Sequence, residues 1–225
     1  MAGALPGFIY AKDKQKGIYV NLFIGSTARI GEGLGLVNIS QHTGYPWNGR
    51  IELNIDPATA SNFALRLRIP GWAIGKENPC GLYSSQSAGQ VKLTVNGKSI
   101  PALIGKGYAV ITRKWRKGDK VTLDIPMLPR LVSPNSQVAE LNNKLAIAAG
   151  PLVYAFEAND NAQLTGSTIA NNATLQPQPQ PGLLNGINVI TVKSAGKEQP
   201  LVAIPFYAVG NRGKTSYQVW MDKAY

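Results

Sequence analysis

Glu157 and Asp160, in the stretch AFEAND at the end of a predicted strand, are the closest candidate pair of acids for catalysis. A glycosidase works with two carboxyl groups roughly 5 to 10 Å apart, and their separation decides whether configuration is retained or inverted. Such a site also needs a cleft and one carboxyl whose pKa is raised. Nothing in the flanking sequence predicts either, so the pair is expected to be a charged strand end. Metal chemistry is poorly supplied: the chain has one cysteine, Cys80, and one histidine, His42. Zinc takes about three protein ligands in a catalytic site and about four in a structural one. Most of those ligands would have to be carboxylates, and no zinc site is expected. Serine chemistry would depend on His42 as its base, and there is no Gly-x-Ser-x-Gly elbow. His42 precedes a glycine-containing turn and is expected at the surface. The residues present therefore assign no catalytic, metal-binding or cofactor-binding group.

Binding is better represented. In TGYPWNGRIELNI, Tyr45, Pro46 and Trp47 stand directly before the alternating run Ile51, Leu53, Ile55, and a second tryptophan, Trp72, follows in IPGWA. Either tryptophan could stack on a sugar ring, and β-sandwiches commonly serve as carbohydrate-binding modules. Against this, a large aromatic beside a proline turn usually plugs a sandwich and buries apolar surface worth some 2 to 3 kcal/mol. Tyr45-Pro46-Trp47 is expected to fix the start of a strand, with sugar contact as the alternative.

These residues must be positioned by short strands, because period-two runs recur along the chain. The pattern in IYVNLFI predicts Ile18, Val20, Leu22 and Ile24 on one face. FALRLRI places Phe63, Leu65, Leu67 and Ile69 inward, with Arg66 and Arg68 outward. Asn96-Gly97 in QVKLTVNGKSI is a strong hairpin signal, since both residues tolerate positive φ. WRKGDKVTLDI repeats the idea, with Gly118-Asp119 between Trp115 and the strand of Val121, Leu123 and Ile125. KLAIAA, PLVYAFE, INVITV, LVAIPF and SYQVWM supply further strands. No amphipathic helix of ten or more residues is evident, so the class is all-β. Three prolines in PMLPRLVSPNSQ mark a crossing between two consecutive antiparallel, jelly-roll-like β-sandwiches, residues 1–133 and 134–225. QPQPQPG, at 176–182, is too proline-rich for a helix or inner strand and is expected to be an extended loop.

The net charge of +11 raises the question of phosphate binding. Its distribution argues otherwise: 17 Lys and Arg face 7 Asp and Glu up to Ser133, and 6 face 5 beyond it. Most of the excess falls at alternate or end positions of predicted strands, the solvated face of a sheet. The densest cluster, RKWRKGDK, interleaves Arg113, Lys114, Arg116 and Lys117 with Trp115. It is expected to be a hairpin flank, and nucleic acid is not expected as a partner. An acidic polysaccharide fits the charge somewhat better. No segment approaches the roughly 20 apolar residues of a membrane-spanning helix, so no membrane partner is expected. MAGALPGFIYAKDK lacks the basic and apolar regions of a signal peptide. A lone cysteine leaves the compartment open, cytoplasmic or exported behind an upstream signal.

Several stretches, taken together and in order, resemble the C-terminal region of glycoside hydrolase family 127, the β-L-arabinofuranosidase family, and its close relative family 146. They are GIYVNLFIGSTARI, TGYPWNGRIELNI, FALRLRIPGWA, VNGK, GYAVITRKWRKGDKVTLDIPMLPR, GPLVYAFEAND and AIPFYAVGNRG followed by VW, and they run from about Gly7 to Trp220. The resemblance implies two β-sandwich modules that follow an (α/α)6 barrel, with residues 1–17 as the barrel's tail. In the family, a cysteine nucleophile and a zinc site of glutamate and cysteines sit on that barrel. Cys80 matches none of them, so no catalytic residue carries over and zinc is implied for the barrel alone. The implied partners are the barrel, with Tyr45, Trp47 and Trp72 as its candidate contacts, and arabinose-containing plant polysaccharide, with self-association expected if an apolar face is left bare. Two positions depart from the family pattern: Asn48 replaces a frequent aspartate, and Val209 replaces a tryptophan.

Overall fold

The protein is described from a computed structural model, which covers residues 2–31, 35–78, 80–85, 89–194 and 199–224. After a short helical turn at Pro6–Ile9, the strands run β1 Tyr10–Lys12, β2 Gly17–Val20, β3 Ser26–Ile30, β4 Val37–Thr43, β5 Arg50–Pro57 and β6 Ser61–Arg68. There follow β7 Tyr83–Ser85, β8 Lys92–Val95, β9 Lys98–Ile100, β10 Ile104–Gly105, β11 Tyr108–Trp115, β12 Asp119–Asp124 and β13 Pro129–Pro134. The remainder are β14 Lys144–Ala149, β15 Leu152–Glu157, β16 Thr168–Ile169, β17 Thr174–Gln180, β18 Ile187–Lys193, β19 Leu201–Pro205, β20 Tyr217–Gln218 and β21 Met221–Lys223. The all-β class holds. Pairing is antiparallel except for β2 with β6 and β16 with β21, which are parallel.

The chain forms two compact units, Met1–Ala73 with Gln90–Pro126, and Ile74–Gly89 with Met127–Tyr225. Sequence reasoning placed the crossing after Ser133, but the chain changes unit after Pro126, and Ser133 lies inside β13. The reason is local: β7 pairs with β13, Val132 opposite Ser85, so residues 74–89 leave the first unit to extend a sheet of the second.

In the first unit a five-stranded sheet runs β1-β2-β6-β11-β10 and a six-stranded one β3-β4-β5-β12-β8-β9. Alternation dictates the core. Phe63, Leu65 and Leu67 of β6 are buried, as are Ile51, Leu53 and Ile55 of β5, while their sequence neighbours are not. Each sheet thus has one apolar face to cover, which the two layers of a sandwich do for each other. The Asn96-Gly97 turn joins β8 to β9 with φ of 51° and 76°, the positive pair that a two-residue hairpin loop needs. Alternation fails after Val20. Phe23 is buried and Ile24 is exposed, because the strand ends and the buried Gln41 holds the chain by donating from Nε2 to the carbonyls of Leu22 (3.1 Å) and Ile24 (2.6 Å). Gly49 is required for a different reason: a Cβ there would lie 1.7 Å from the carbonyl oxygen of Ile125.

The second unit joins its strands in one ladder, β16-β21-β14-β15-β19-β18-β17, with β13 also beside β14 and β20 beside β15. Leu145, Ile147, Tyr154, Phe156, Ile190, Val192 and Met221 form its main apolar cluster. The proline-rich segment is not a loop but the edge strand β17, paired over seven residues with β18. A ladder uses the inward N–H of every second residue, so Pro177 and Pro179, two apart, fall in one class. The unbroken register requires that class to face outward, where proline costs no ladder bond and blocks a further strand.

Candidate functional site

The turn at 43–50 is built from its own polar groups. Thr43 Oγ1 accepts from Tyr45 N at 3.0 Å and donates to the Arg50 carbonyl at 3.0 Å. Asn48 Oδ1 accepts from Arg50 N at 3.2 Å, a role that a carboxylate oxygen would fill equally well. The Tyr45-Pro46 bond is cis. Tyr45 packs edge-on against Phe23 at 5.5 Å, and its hydroxyl accepts a hydrogen bond from the indole N–H of Trp72. Burial pushes the Tyr45 hydroxyl pKa upward. Trp72 is 8% exposed, whereas Trp47 keeps 44% of its surface open. The structure thus joins Tyr45 to Trp72, and of the three aromatics only Trp47 presents a broad face to solvent.

Outside the turn, the first unit places its charges in small networks. Asp13 Oδ1 accepts from Gly17 N at 2.7 Å, and Asp13 Oδ2 pairs with Arg66 at 3.2 Å, while the Arg66 guanidinium lies 4.8 Å from the centre of the Tyr19 ring. The Gly17 N–H foremost, then Tyr19, the Gln15 N–H and Arg66, hold the Asp13 carboxyl below its usual range. Trp115, at the centre of the basic cluster, is wholly buried against Phe63 and donates from Nε1 to the Phe63 carbonyl at 3.0 Å. It is core, so the cluster has no aromatic to interleave with bases. Asp119 organises the same hairpin by accepting from Asn96 Nδ2 (2.7 Å) and Arg116 N (2.9 Å).

In the second unit the acid pair is brought together, but around a cation. Glu157 has no exposed surface; its Oε1 accepts from Gly210 N at 2.7 Å and its Oε2 from Arg212 Nη2. Arg212 also grips Asp160 through Nη1 (2.8 Å to Oδ1) and Nη2. One guanidinium thus occupies oxygens of both carboxylates, in the paired geometry of a structural ion cluster. His42 is exposed opposite Glu52, and Cys80 is exposed. Among the described residues no group of three or more His, Cys, Asp or Glu gathers as a metal would need.

Two further features come from packing, the first between residues 53 positions apart and the second across a loop of about ten residues. Arg130 meets Glu77 in a forked pair, Nε to Oε1 at 2.6 Å and Nη2 to Oε2 at 2.9 Å, while Nη1 donates to the Gly150 carbonyl at 2.9 Å and Ser85 Oγ donates to Glu77 Oε1. This pair ties the 74–89 excursion to the second unit. The other is an aromatic ledge of Phe206 and Tyr217, with ring centres 5.9 Å apart. The only sequence signal for it was the aromatic content of IPFYAVGNRG.

Comparison with known proteins agrees with this architecture. Residues 17–127 match the β-L-arabinofuranosidase GH127 middle domain, and residues 129–222 match the glycoside hydrolase family 127 C-terminal domain. A non-reducing end β-L-arabinofuranosidase of Bifidobacterium longum subsp. longum is 27% identical over 91% of this chain and 33% of its own length. A solved GH127 β-arabinofuranosidase superposes with a TM-score of 0.88 at 35% identity, over 98% of this chain and 37% of that one. The Geobacillus stearothermophilus T6 GH127 β-L-arabinofuranosidase gives 0.83 at 32%, over 98% and 36%. The chain spans about a third of the length of these relatives.

Proposed function

Because this chain belongs to glycoside hydrolase family 127, as its middle and C-terminal domains, we propose that it serves as a non-catalytic accessory portion of an enzyme that hydrolyses β-L-arabinofuranosides of plant glycans. The observation that carries the reading is the fate of the one candidate acid pair: Glu157 and Asp160 are both engaged by Arg212. Their oxygens are occupied by that guanidinium and, for Glu157, by the Gly210 N–H. The single cysteine and single histidine, both exposed, add no nucleophile–base pair that would replace them.

The nucleophile and zinc belong, on this reading, to the (α/α)6 barrel that the family resemblance implies, and that barrel is the partner of these domains. Leu5 and Phe8, exposed at 47% and 66%, offer apolar contact in the segment read as the barrel's tail. The test is incubation of the isolated chain with an aryl β-L-arabinofuranoside, with and without zinc and thiol reductant. No release of the aryl group above the buffer control is expected. Turnover that scales with the amount of homogeneous protein would contradict the assignment.

A further inference from the structure

In the second unit, β19 ends in the turn Phe206–Ala208, and the chain returns to the sheet at β20, which begins with Tyr217. At the two ends of this excursion stand two aromatic rings, 46% and 48% exposed, with centres 5.9 Å apart and planes inclined at 59°. Beside them lies an open depression of about 330 Å³, lined also by Val209, Gly210, Gly213, Lys214 and Thr215. Gly210 and Gly213 take φ of 79° and 111°, and neither carries a side chain to fill the floor.

The excursion is held from beneath by the Glu157, Asp160 and Arg212 set, with Gly210 N bound directly to the buried Glu157 at 2.7 Å. Desolvating such charges gives little net stability over apolar packing. What the set does supply is one fixed geometry for the loop between the rings. Ala158 N adds to this by donating to the Ser216 carbonyl at 3.0 Å.

From this geometry we propose that Phe206 and Tyr217 form a saccharide-binding ledge. The exposed part of the touching, inclined pair forms an apolar corner against which the C–H face of a sugar can pack. Lys214 and Thr215 also line the depression, with the Thr215 hydroxyl donating to the Ser216 carbonyl at 3.1 Å and keeping its acceptor capacity for a sugar hydroxyl. The cavity is at the small end of ligand sites, roughly 300 to 1,000 Å³. A depression of that volume takes about one or two sugar rings. The ledge stands apart from the scaffold role proposed above; only the choice of arabinose-containing glycans as first probes rests on that reading.

The full chain is run in native gels containing soluble arabinan, arabinogalactan or xylan, or no polysaccharide, and the dissociation constant is taken from the retardation. At least one polysaccharide is expected to retard it. Phe206→Ala and Tyr217→Ala should each bind about tenfold more weakly, the loss of roughly 1.4 kcal/mol, with thermal midpoints near that of the parent chain. Trp47→Ala should leave retardation unchanged. Equal mobility in every gel overturns the ledge, as does binding lost in Trp47→Ala but kept in both ring variants. The hydrolysis assay reads a different property, so either proposal can fail while the other stands.

Discussion

Arg130 and Glu77 show what single residues decide in this protein. The Arg130 side chain is 5% exposed and forks onto Glu77, so deleting either partner strands a buried charge. Arg130→Met should lower unfolding free energy by about 3 kcal/mol or more, read from urea denaturation. Burial alone would raise the Glu77 pKa, but the hydrogen bonds from Arg130 and Ser85 outweigh it, and the net position is below the usual 4.5. A folded-state pKa below the unfolded one means that the stabilisation is complete above the unfolded value and lost as pH falls through the folded value. Stability should therefore decline below about pH 4.5, and Glu77→Gln should flatten that decline; an unchanged profile would remove Glu77 as its source. Gly49 is decided by contact rather than charge. Gly49→Ala puts a methyl 1.7 Å from the Ile125 carbonyl oxygen and should cost at least about 2 kcal/mol, measured by thermal denaturation. Neither effect was legible in the sequence, since Glu77 and Arg130 are 53 residues apart and nothing local marks Gly49 as a backbone crossing.

At the scale of elements, periodicity was legible wherever a strand had one wet face. FALRLRI became β6 with the inward set expected, and Asn96-Gly97 became a hairpin because its two positive φ angles are a purely local demand. Periodicity failed where tertiary contacts took over. Gln41 redirects the chain after Val20, and β7 crosses to the second unit on the strength of a ladder that no local pattern announces. The proline segment failed for another reason: proline excludes an inner strand but not an edge, and β17 is an edge. Its prolines are protective, on the outward class of N–H positions. Pro177→Thr with Pro179→Thr should leave the melting temperature almost unchanged yet speed aggregation, as light scattering on incubation would show, because the edge could then accept another strand. Equal aggregation rates would mean that the prolines do not guard it.

The whole molecule is two β units whose combined sequence matches two adjoining domains of one glycoside hydrolase family. Family membership was legible because the motif set kept its order over nearly the full chain. At single residues the type was legible and the partner was not: Trp72 is the buried plug that its proline turn suggests, Trp115 is core, and the acid pair, expected as a charged strand end, clamps Arg212. A sequence shows that an aromatic or an acid is available; only packing decides which way it faces and what neutralises it. We propose that these units work as the accessory portion of a larger arabinofuranosidase-related enzyme. The test is the mass of the polypeptide that carries this sequence in its source organism, by immunoblot with antibody raised against the chain. A band about three times heavier than 24.1 kDa is expected, since the chain spans a third of its relative's length. A sole band at 24.1 kDa, with no heavier partner co-purifying, would contradict it.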